Sequence, residues 1–492
     1  MTDLDLCYMS AHEALARFRN RSLSPVELTQ ALIARAEAVK DPVNAFTFTH
    51  FDEALDLARK AEAKYARGRR PRALEGLPLG IKDENNIKGK PTSSGSLILR
   101  DNVAETTSVN NQRILRAGGI VLARTATPEF SAAGICWSRL WGVTRNPWNP
   151  AFTPGGSSGG SAAALASGMV PLAMGSDIGG SIRIPASACG VVGFKPPYGR
   201  NTDDPPFNLD FFCHTGPLAR TVRDAALLQN VVSGPHPSDI ASLRPKLTLP
   251  LDYPGIKGWK IAYSPDLGMF EVDPEVRRNT EASLQVFRDL GASVTEVRIP
   301  WGPEVMEACL AYLVHIFGGY IAGLLDDHAD EMTSYVRQFA EMGRASTARD
   351  YVQALEVIAA AYEPVGRIMD KHDLLVCPTL AIPAPPAEFD SSAQKMVING
   401  REVNPFLGWA MTVPFNMLSR MPVLSVPSGR AASGVPTGTQ IVGRSYRDRD
   451  VFQAGMAYEA ALGGWFSDRA RRPQLQGDQP LIKPEGGLSS RA

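Results

Sequence analysis

The sequence predicts an α/β protein whose central mixed, twisted sheet is covered by helices on both faces. Three observations carry this. Short apolar runs separated by Gly/Ser/Pro loops fill the chain from Leu77 to about Leu228 and read as strands buried on both faces. Helical patterns such as Thr107 to Ala117 and Ser161 to Gly168 alternate with them, the arrangement that builds a layered core. The 492 residues, 44% hydrophobic and 21% charged, suffice for a large core and exclude both a disordered chain and a membrane bundle.

Ser10-Ala11-His12-Glu13 and Ser24-Pro25-Val26-Glu27 read as capping boxes, the second with proline at the first helical position, so the chain opens with helices. A third helical run, Phe51 to Arg67, ends in the basic cluster Arg67, Arg69, Arg70 and Arg72, whose cations suit a helix C-terminus. The segments GLPLGIKD, GGIVLART, VPLAMGSD and GVVGFKP then supply strands. Residues 229–256 read as a linker, WKIAYSPD resumes a strand, and helices are expected over Pro274 to Leu290 and Glu304 to Ala361. LLVCPTLAIP is another strand, Pro414 to Gly443 is strand-rich, Arg447 to Leu462 is a final helix, and the polar tail from Ser467 to Ala492 is expected to fray. The organisation expected is a helical segment at 1–70 packed on the core, an α/β domain at 71–465 with a variable pocket region at about 300–410, and a tail at 466–492.

Lys plus Arg and Asp plus Glu each total 51, so the chain has no long-range attraction for phosphate backbones or anionic lipid, and no nucleic-acid partner is expected. Six scattered cysteines form no CxxC, and seven histidines form no HxxxH or HxxEH pair, so neither a disulfide framework nor a metal is indicated, and no cofactor is expected. The opening MTDLDLCYMSAHEALARF carries aspartates and no apolar signal core, which makes a cytoplasmic location the expectation. Ala308 to Leu325 is uncharged over nearly the length of a membrane span. It contains His315 and three glycines without basic flanks, so a buried helix or pocket wall is expected there rather than a span.

The strongest local feature is Pro154-Gly155-Gly156-Ser157-Ser158-Gly159-Gly160-Ser161, which runs straight into a helix-forming AAALAS. Glycines let backbone amides approach a ligand, and a helix start adds unpaired donors. As a phosphate cradle the loop lacks the Lys-Ser/Thr of a P-loop. As a G-x-S-x-G elbow it needs a later acid and histidine, and His214, His315 and His372 stand in no recognisable context. The third reading makes Ser157 part of a different serine constellation. A second loop, Met174 to Pro185, presents the amides of Ile178, Gly179, Gly180 and Ser181, suited to holding an oxyanion. Upstream, Leu77, Leu79 and Ile81 share one strand face, which turns Lys82 to the other and Asp83 away from it.

The strand Gly80-Ile81-Lys82-Asp83, the loop GGSSGGSAAALASGMVPLAMGSDIGGSIRIPASACGVVGFKP and the segment GPLARTVRDAA from Gly216 together resemble the amidase signature family. Weaker similarity in ELTQALIARAE and in FNMLSRMPVLSVPSGR and GVPTGTQIVGR extends this over most of the chain. The resemblance implies the amidase signature fold and a Ser-cisSer-Lys triad, with Ser181 as nucleophile, Ser157 as the bridging serine with a cis peptide, and Lys82 as base. Ile178, Gly179, Gly180 and Ser181 match the oxyanion hole, Asp177 and Arg183 match loop supports, and Ser131, Gly156 and Ser158 match substrate-binding positions. The implied reaction is hydrolysis of a carboxylic amide, aryl amides, anilides and related esters included, through an acyl-enzyme on Ser181. A carbamate hydrolase on the same triad and a subunit of an amidotransferase complex are the alternatives.

Chemistry is consistent with that expectation. Free lysine has a pKa of about 10.4, so a base working near neutrality needs its ammonium destabilised by roughly 4 kcal/mol. Burial without a paired carboxylate is the expected source. Two further motifs are set aside: Cys136-Trp137 lacks the glutamate of a nitrilase Cys-Trp-Glu, having Ser138 instead, and Ser392-Ala393-Gln394-Lys395 lacks the companions of an S-x-x-K enzyme. Amidotransferase subunits of the resembling family carry glutamine after S-I-R and aspartate three residues before the G-P element; here Ile184 and Cys213 stand there. Phe207, Phe211, Phe212 and His214, with the 308–325 stretch, suggest an apolar or aromatic pocket for a small-molecule substrate. A homodimer is left open.

Overall fold

The structure is a computed structural model that describes residues 3–475. Its centre is an 11-stranded sheet. In chain order the strands are β1 (Phe46–Thr49), β2 (Pro78–Lys82), β3 (Ile120–Thr125), β4 (Leu172–Ser176), β5 (Val192–Lys195), β6 (Thr215–Ala219), β7 (Lys260–Tyr263), β8 (Ser293–Glu296), β9 (Leu374–Pro378), β10 (Val423–Arg430) and β11 (Pro436–Gly443). They lie in the order β1-β3-β2-β4-β6-β5-β10-β11-β9-β7-β8. β3, β2 and β4 are parallel neighbours, as are β9, β7 and β8, while the strands between are antiparallel. The sheet is therefore mixed, as expected, and β2 is buried along its whole length because helices cover both faces.

The Gly159–Ala166 helix is buried at every residue, which its GGSAAALA sequence permits by offering one polar side chain, Ser161, whose hydroxyl donates to Met174 O at 3.0 Å. Two glycines at its start are required by close approach. A Cβ on Gly160 would sit 2.3 Å from Ala126 N and 2.6 Å from Ala45 O, and one on Gly159 would sit 2.5 Å from Cys136 Cβ.

The first seventy residues are not purely helical. The Pro25–Val43 helix starts on a complete capping box at Ser24, whereas at Ser10 only half the box forms, because Glu13 pairs with Arg17 at 2.7 Å. Phe46–Thr49 then joins the main sheet as an edge strand against β3. Arg72, from the basic cluster, pairs with the buried Glu75 at 2.7 Å, a structural role.

Residues 229–256 are tied down rather than free. The Val222–Val232 helix runs into them, Asn230 exchanges hydrogen bonds with Leu249 at 2.7 and 2.8 Å, and Leu249 and Ile256 enter the core. The expected helical stretch from 304 is a chain of shorter pieces, including Pro303–Leu313, a π turn at Val314–Gly318, Ser334–Ala345 and Ala348–Met369. The fraying expected from Ser467 does not begin there. Arg472 is buried, reaches Asp5 at 3.2 Å and lies 4.6 Å from the Tyr8 ring centroid. Residues 476–492 of that expectation lie outside the described residues.

Candidate active site

Lys82 ends β2 and Ser176 ends its parallel neighbour β4, so the shared register brings the two side chains together. Lys82 is 0% exposed. Its Nζ donates to Ser157 Oγ at 2.7 Å and to Ser176 Oγ at 2.8 Å, and lies 3.2 Å from Glu84 Oε1. Burial drives the lysine below its ordinary pKa of 10.5, with Glu84 working against that shift. The expectation of a lysine without a carboxylate is thus corrected: Glu84 stands beside it. Glu84 also accepts from the Ser131 hydroxyl. Burial alone would raise the Glu84 carboxyl, but Lys82 and the surrounding hydroxyls hold it below its ordinary value. Asp83 does turn away, to Ser93 at 2.5 Å and toward Arg124 at 3.8 Å.

The peptide bond between Gly156 and Ser157 is cis. Only glycine fits at 156, where a Cβ would stand 2.0 Å from Ile135 O. The two Gly/Ser loops are joined where Ser158 N–H donates to Ser181 O at 3.2 Å. Ser158, expected to bind substrate, is fully buried, with its hydroxyl 3.3 Å from the Ser176 backbone. Ser181 is 6% exposed, and among the described residues no hydrogen bond links its hydroxyl to Ser157.

The nucleophile-matching loop is held from behind. Asp177 receives two bonds from Arg183, both at 2.9 Å, and one from Asn416 Nδ2 at 2.8 Å. Arg183 also donates to Asn416 Oδ1, Thr412 O and Gln440 Oε1 at 2.7–2.9 Å. Burial would raise the Asp177 carboxyl, but the Arg183 guanidinium outweighs it and holds it at about 2. Gly180 has φ +124°, and a Cβ there would meet Thr412 Oγ1 at 1.9 Å. Its amide donates to Asp177 Oδ1 at 2.8 Å, which leaves the amides of Ile178, Gly179 and Ser181 as the uncommitted donors of the expected four.

A cavity of about 610 Å³ opens onto Ser157, Ser131, Ser176 and Glu84, with Phe207, Phe317 and Tyr320 among its apolar wall. A narrower apolar space of about 30 Å³ holds Ser181 and Gly179 against Leu313, Phe339 and Leu407. Ser131, Ile178 and Phe317 border both. Of the four residues expected to make an aromatic pocket beside the G-P element, Phe207 lines the cavity, with ring centroids 5.6 Å from Phe317 and 5.1 Å from Tyr320. Phe211 and Phe212 pack on Tyr312 instead, and His214 is buried against Asp177 O and Ser419 O. Burial lowers His214 to about 3, which removes it as a catalytic base near neutrality.

The uncharged 308–325 stretch is a wall of this cavity, through Phe317, Tyr320, Gly323 and Leu324. Pro303–Ala322 is, among the described residues, the one helix long and apolar enough to cross a membrane, at a mean hydropathy of 1.5. Cys136 is buried behind Gly159, which pushes its thiol up to about 11 and leaves it unsuited to nucleophilic attack. Glu84 and Ser176 were not singled out in the sequence. The period of two along a strand end places residues 82 and 84 on one face, and that was the available signal. Asn416 and Gln440 fall inside the two C-terminal segments that carry the weaker resemblance, where spacing alone gives them no role.

The amidase family model matches residues 27–452. An acylamidase of Rhodococcus erythropolis is 35% identical over 471 residues, covering 94% of this chain and 97% of that protein. One glutamyl-tRNA(Gln) amidotransferase subunit, from Cyanothece sp. (strain PCC 7425 / ATCC 29141), is 32% identical, covering 95% of this chain and 100% of that one. Among solved structures, a bacterial aryl acylamidase of the amidase signature enzymes aligns with a TM-score of 0.85 at 30% identity, covering 92% of this chain and 96% of the other. The buried lysine beside a cis-linked serine and the extent of these matches lead to one assignment: the chain belongs to the amidase signature family and is an amide-hydrolysing enzyme.

Proposed function

We propose that this amidase works through Ser181 as nucleophile, Ser157 as proton relay and Lys82 as base, on a small-molecule amide with an apolar or aromatic half. The observation that carries the reading is the 2.7 Å contact between Ser157 Oγ and the Nζ of a lysine that is 0% exposed. In its neutral form Lys82 takes the Ser157 proton, Ser157 takes the Ser181 proton, and Ser181 Oγ bonds to the substrate carbonyl carbon. The oxyanion accepts hydrogen bonds from the Ile178, Gly179 and Ser181 amides, while Asp177 and Arg183 keep their loop in place. Collapse breaks the C–N bond as the proton returns from Lys82 through Ser157 to the leaving nitrogen. Water then adds to the acyl-enzyme, its proton following the same relay, and the released products are acid and amine. Ser131, in the turn that borders both cavities, and Gly156, beside the cis bond, contact the acyl group.

The aromatic and aliphatic cavity wall supports an aryl or otherwise apolar half, in line with the acylamidase and aryl acylamidase relatives. Ile184 and Cys213, where amidotransferase subunits carry glutamine and aspartate, speak against glutamine as substrate. A cytoplasmic location is supported by the buried thiols of Cys136, Cys189, Cys309 and Cys377, which form no disulfide. The test is a hydrolysis panel of anilides, aryl esters, carbamates and glutamine, together with labelling by a fluorophosphonate. The expected result is labelling at Ser181 that Ser181→Ala abolishes and Lys82→Ala weakens, with anilide or aryl ester turnover exceeding that of glutamine. Preference for glutamine would overturn the substrate class, and labelling that survives Ser181→Ala would overturn the nucleophile.

A further inference from the structure

A carboxylate next to a buried lysine that has to give up its proton is a cost to the reaction unless it does something else. Glu84 does two things geometrically. Its Oε1 forms no hydrogen bond among the described residues and faces the Lys82 ammonium at 3.2 Å. Its other oxygen receives the Ser131 hydroxyl, which also contacts Thr127 Oγ1 at 2.9 Å. Phe130 and Ser131 both have positive φ, 49° and 58°, in a turn that a side-chain anchor must hold against its intrinsic preference. One carboxylate therefore connects the lysine to the turn that borders both the Ser157 cavity and the Ser181 space.

We propose that Glu84 is a positioning residue of the amidase reaction, which holds Lys82 Nζ toward Ser157 while the lysine carries the shuttled proton and pins the Ser131 turn against which the acyl group lies. The inference rests on the reading of Lys82 as base. No other carboxylate among the described residues pairs with Lys82. Around it stand the hydroxyls of Ser157 and Ser176 and the thiols of Cys136 and Cys213. Arg124 from β3 and Asp203, whose carboxyl burial pushes well above its ordinary value, also act on Glu84 electrostatically. Glu84 is thus the group whose charge offsets the protonated lysine. Removing that charge while keeping the shape leaves burial unopposed and makes Lys82 a weaker base.

The test compares pH profiles of kcat/KM for anilide hydrolysis in the wild type, Glu84→Gln, Ser131→Ala and Lys82→Ala, with active enzyme counted by fluorophosphonate titration so that partial misfolding drops out. Glu84→Gln is expected to move the acid limb to lower pH and to lower kcat by about tenfold or more. Ser131→Ala is expected to raise KM and leave the limb in place. An acid limb that coincides with the wild type in Glu84→Gln, while Lys82→Ala has lost turnover, overturns the role of Glu84 alone. Full turnover in Lys82→Ala overturns the reading beneath it. If Glu84→Gln gives too little labelled enzyme to assay, Glu84→Asp supplies the second variant. A shorter carboxylate keeps the charge, so it is expected to hold the limb near its wild-type position with reduced kcat, and a limb displaced as far as a neutral side chain would displace it contradicts the proposal.

Discussion

Lys82 donates hydrogen bonds to Ser157 and Ser176 and forms an ion pair with Glu84. Two opposed effects set its proton affinity: burial favours the neutral amine, and Glu84 favours the charged form. Burial wins, so the folded-state value lies below the ordinary 10.5. Lys82 as the proposed base acts when deprotonated, so kcat/KM is expected to rise with pH, with a midpoint below that of free lysine, as a pH–rate profile checks. Gly180 gives a second expectation at this scale. Alanine there would strain a backbone at φ +124° and drive a methyl into Thr412, so Gly180→Ala is expected to lose turnover and about 1–3 kcal/mol of stability, read by urea denaturation. The closeness of Lys82 and Ser157 was legible through the resemblance that the long motif carries, not through either residue alone. Glu84 was not, because one carboxylate in a polar run after a strand looks like any solvated charge until the fold turns it against Lys82.

The loop between β4 and the Arg183–Cys189 helix is the element on which the proposed oxyanion geometry depends, and it is fastened by a pair that is 0% exposed on both sides. Breaking such a pair leaves an uncompensated buried charge, so Arg183→Leu is expected to cost about 3–5 kcal/mol in chemical denaturation. Asp177 has a folded-state value of about 2 against an ordinary 3.8. The sign follows from that depression: its contribution is complete above about 3.8 and fades as pH falls through about 2, so acid unfolding of the wild type should steepen in that window and Asp177→Asn should flatten it. Asp177 and Arg183 were readable as supports through their place in the long motif. Thr412, Asn416 and Gln440 complete the clamp from more than 220 residues away, a relation no local pattern encodes. The cavity wall shows the same limit. Its lack of charge foretold a pocket wall, but Tyr320 in it is 57% exposed, and the π turn at Val314–Gly318 brings Gly318 within 2.1 Å of where a Cβ on Gly343 would fall.

In the whole molecule, β2 and β4 lie inside the sheet, flanked by β3 and β6, so the lysine is buried beneath the residues that line the cavity. The first seventy residues belong to that enclosure. Ala45 O accepts from Ala126 N at 2.8 Å, and the start of the Gly159–Ala166 helix is pressed against both residues. A chain lacking residues 1–70 is therefore expected to fail to fold, read as loss of soluble monodisperse protein and of the cooperative thermal transition; a stable, active truncation would show the segment to be an accessory. The mixed sheet was legible from short apolar runs and their spacing, whereas the edge strand at Phe46–Thr49 was hidden by the helices around it and by its brevity. The account as a whole stands on the removal of Lys82 from water. The most direct measurement is kcat/KM against pH for the wild type and Lys82→Ala on one anilide. The expected result is a rising limb with a midpoint below 10.5 in the wild type, and its disappearance together with a loss of about 10²–10⁴ in Lys82→Ala. Superimposable profiles of equal height would contradict it.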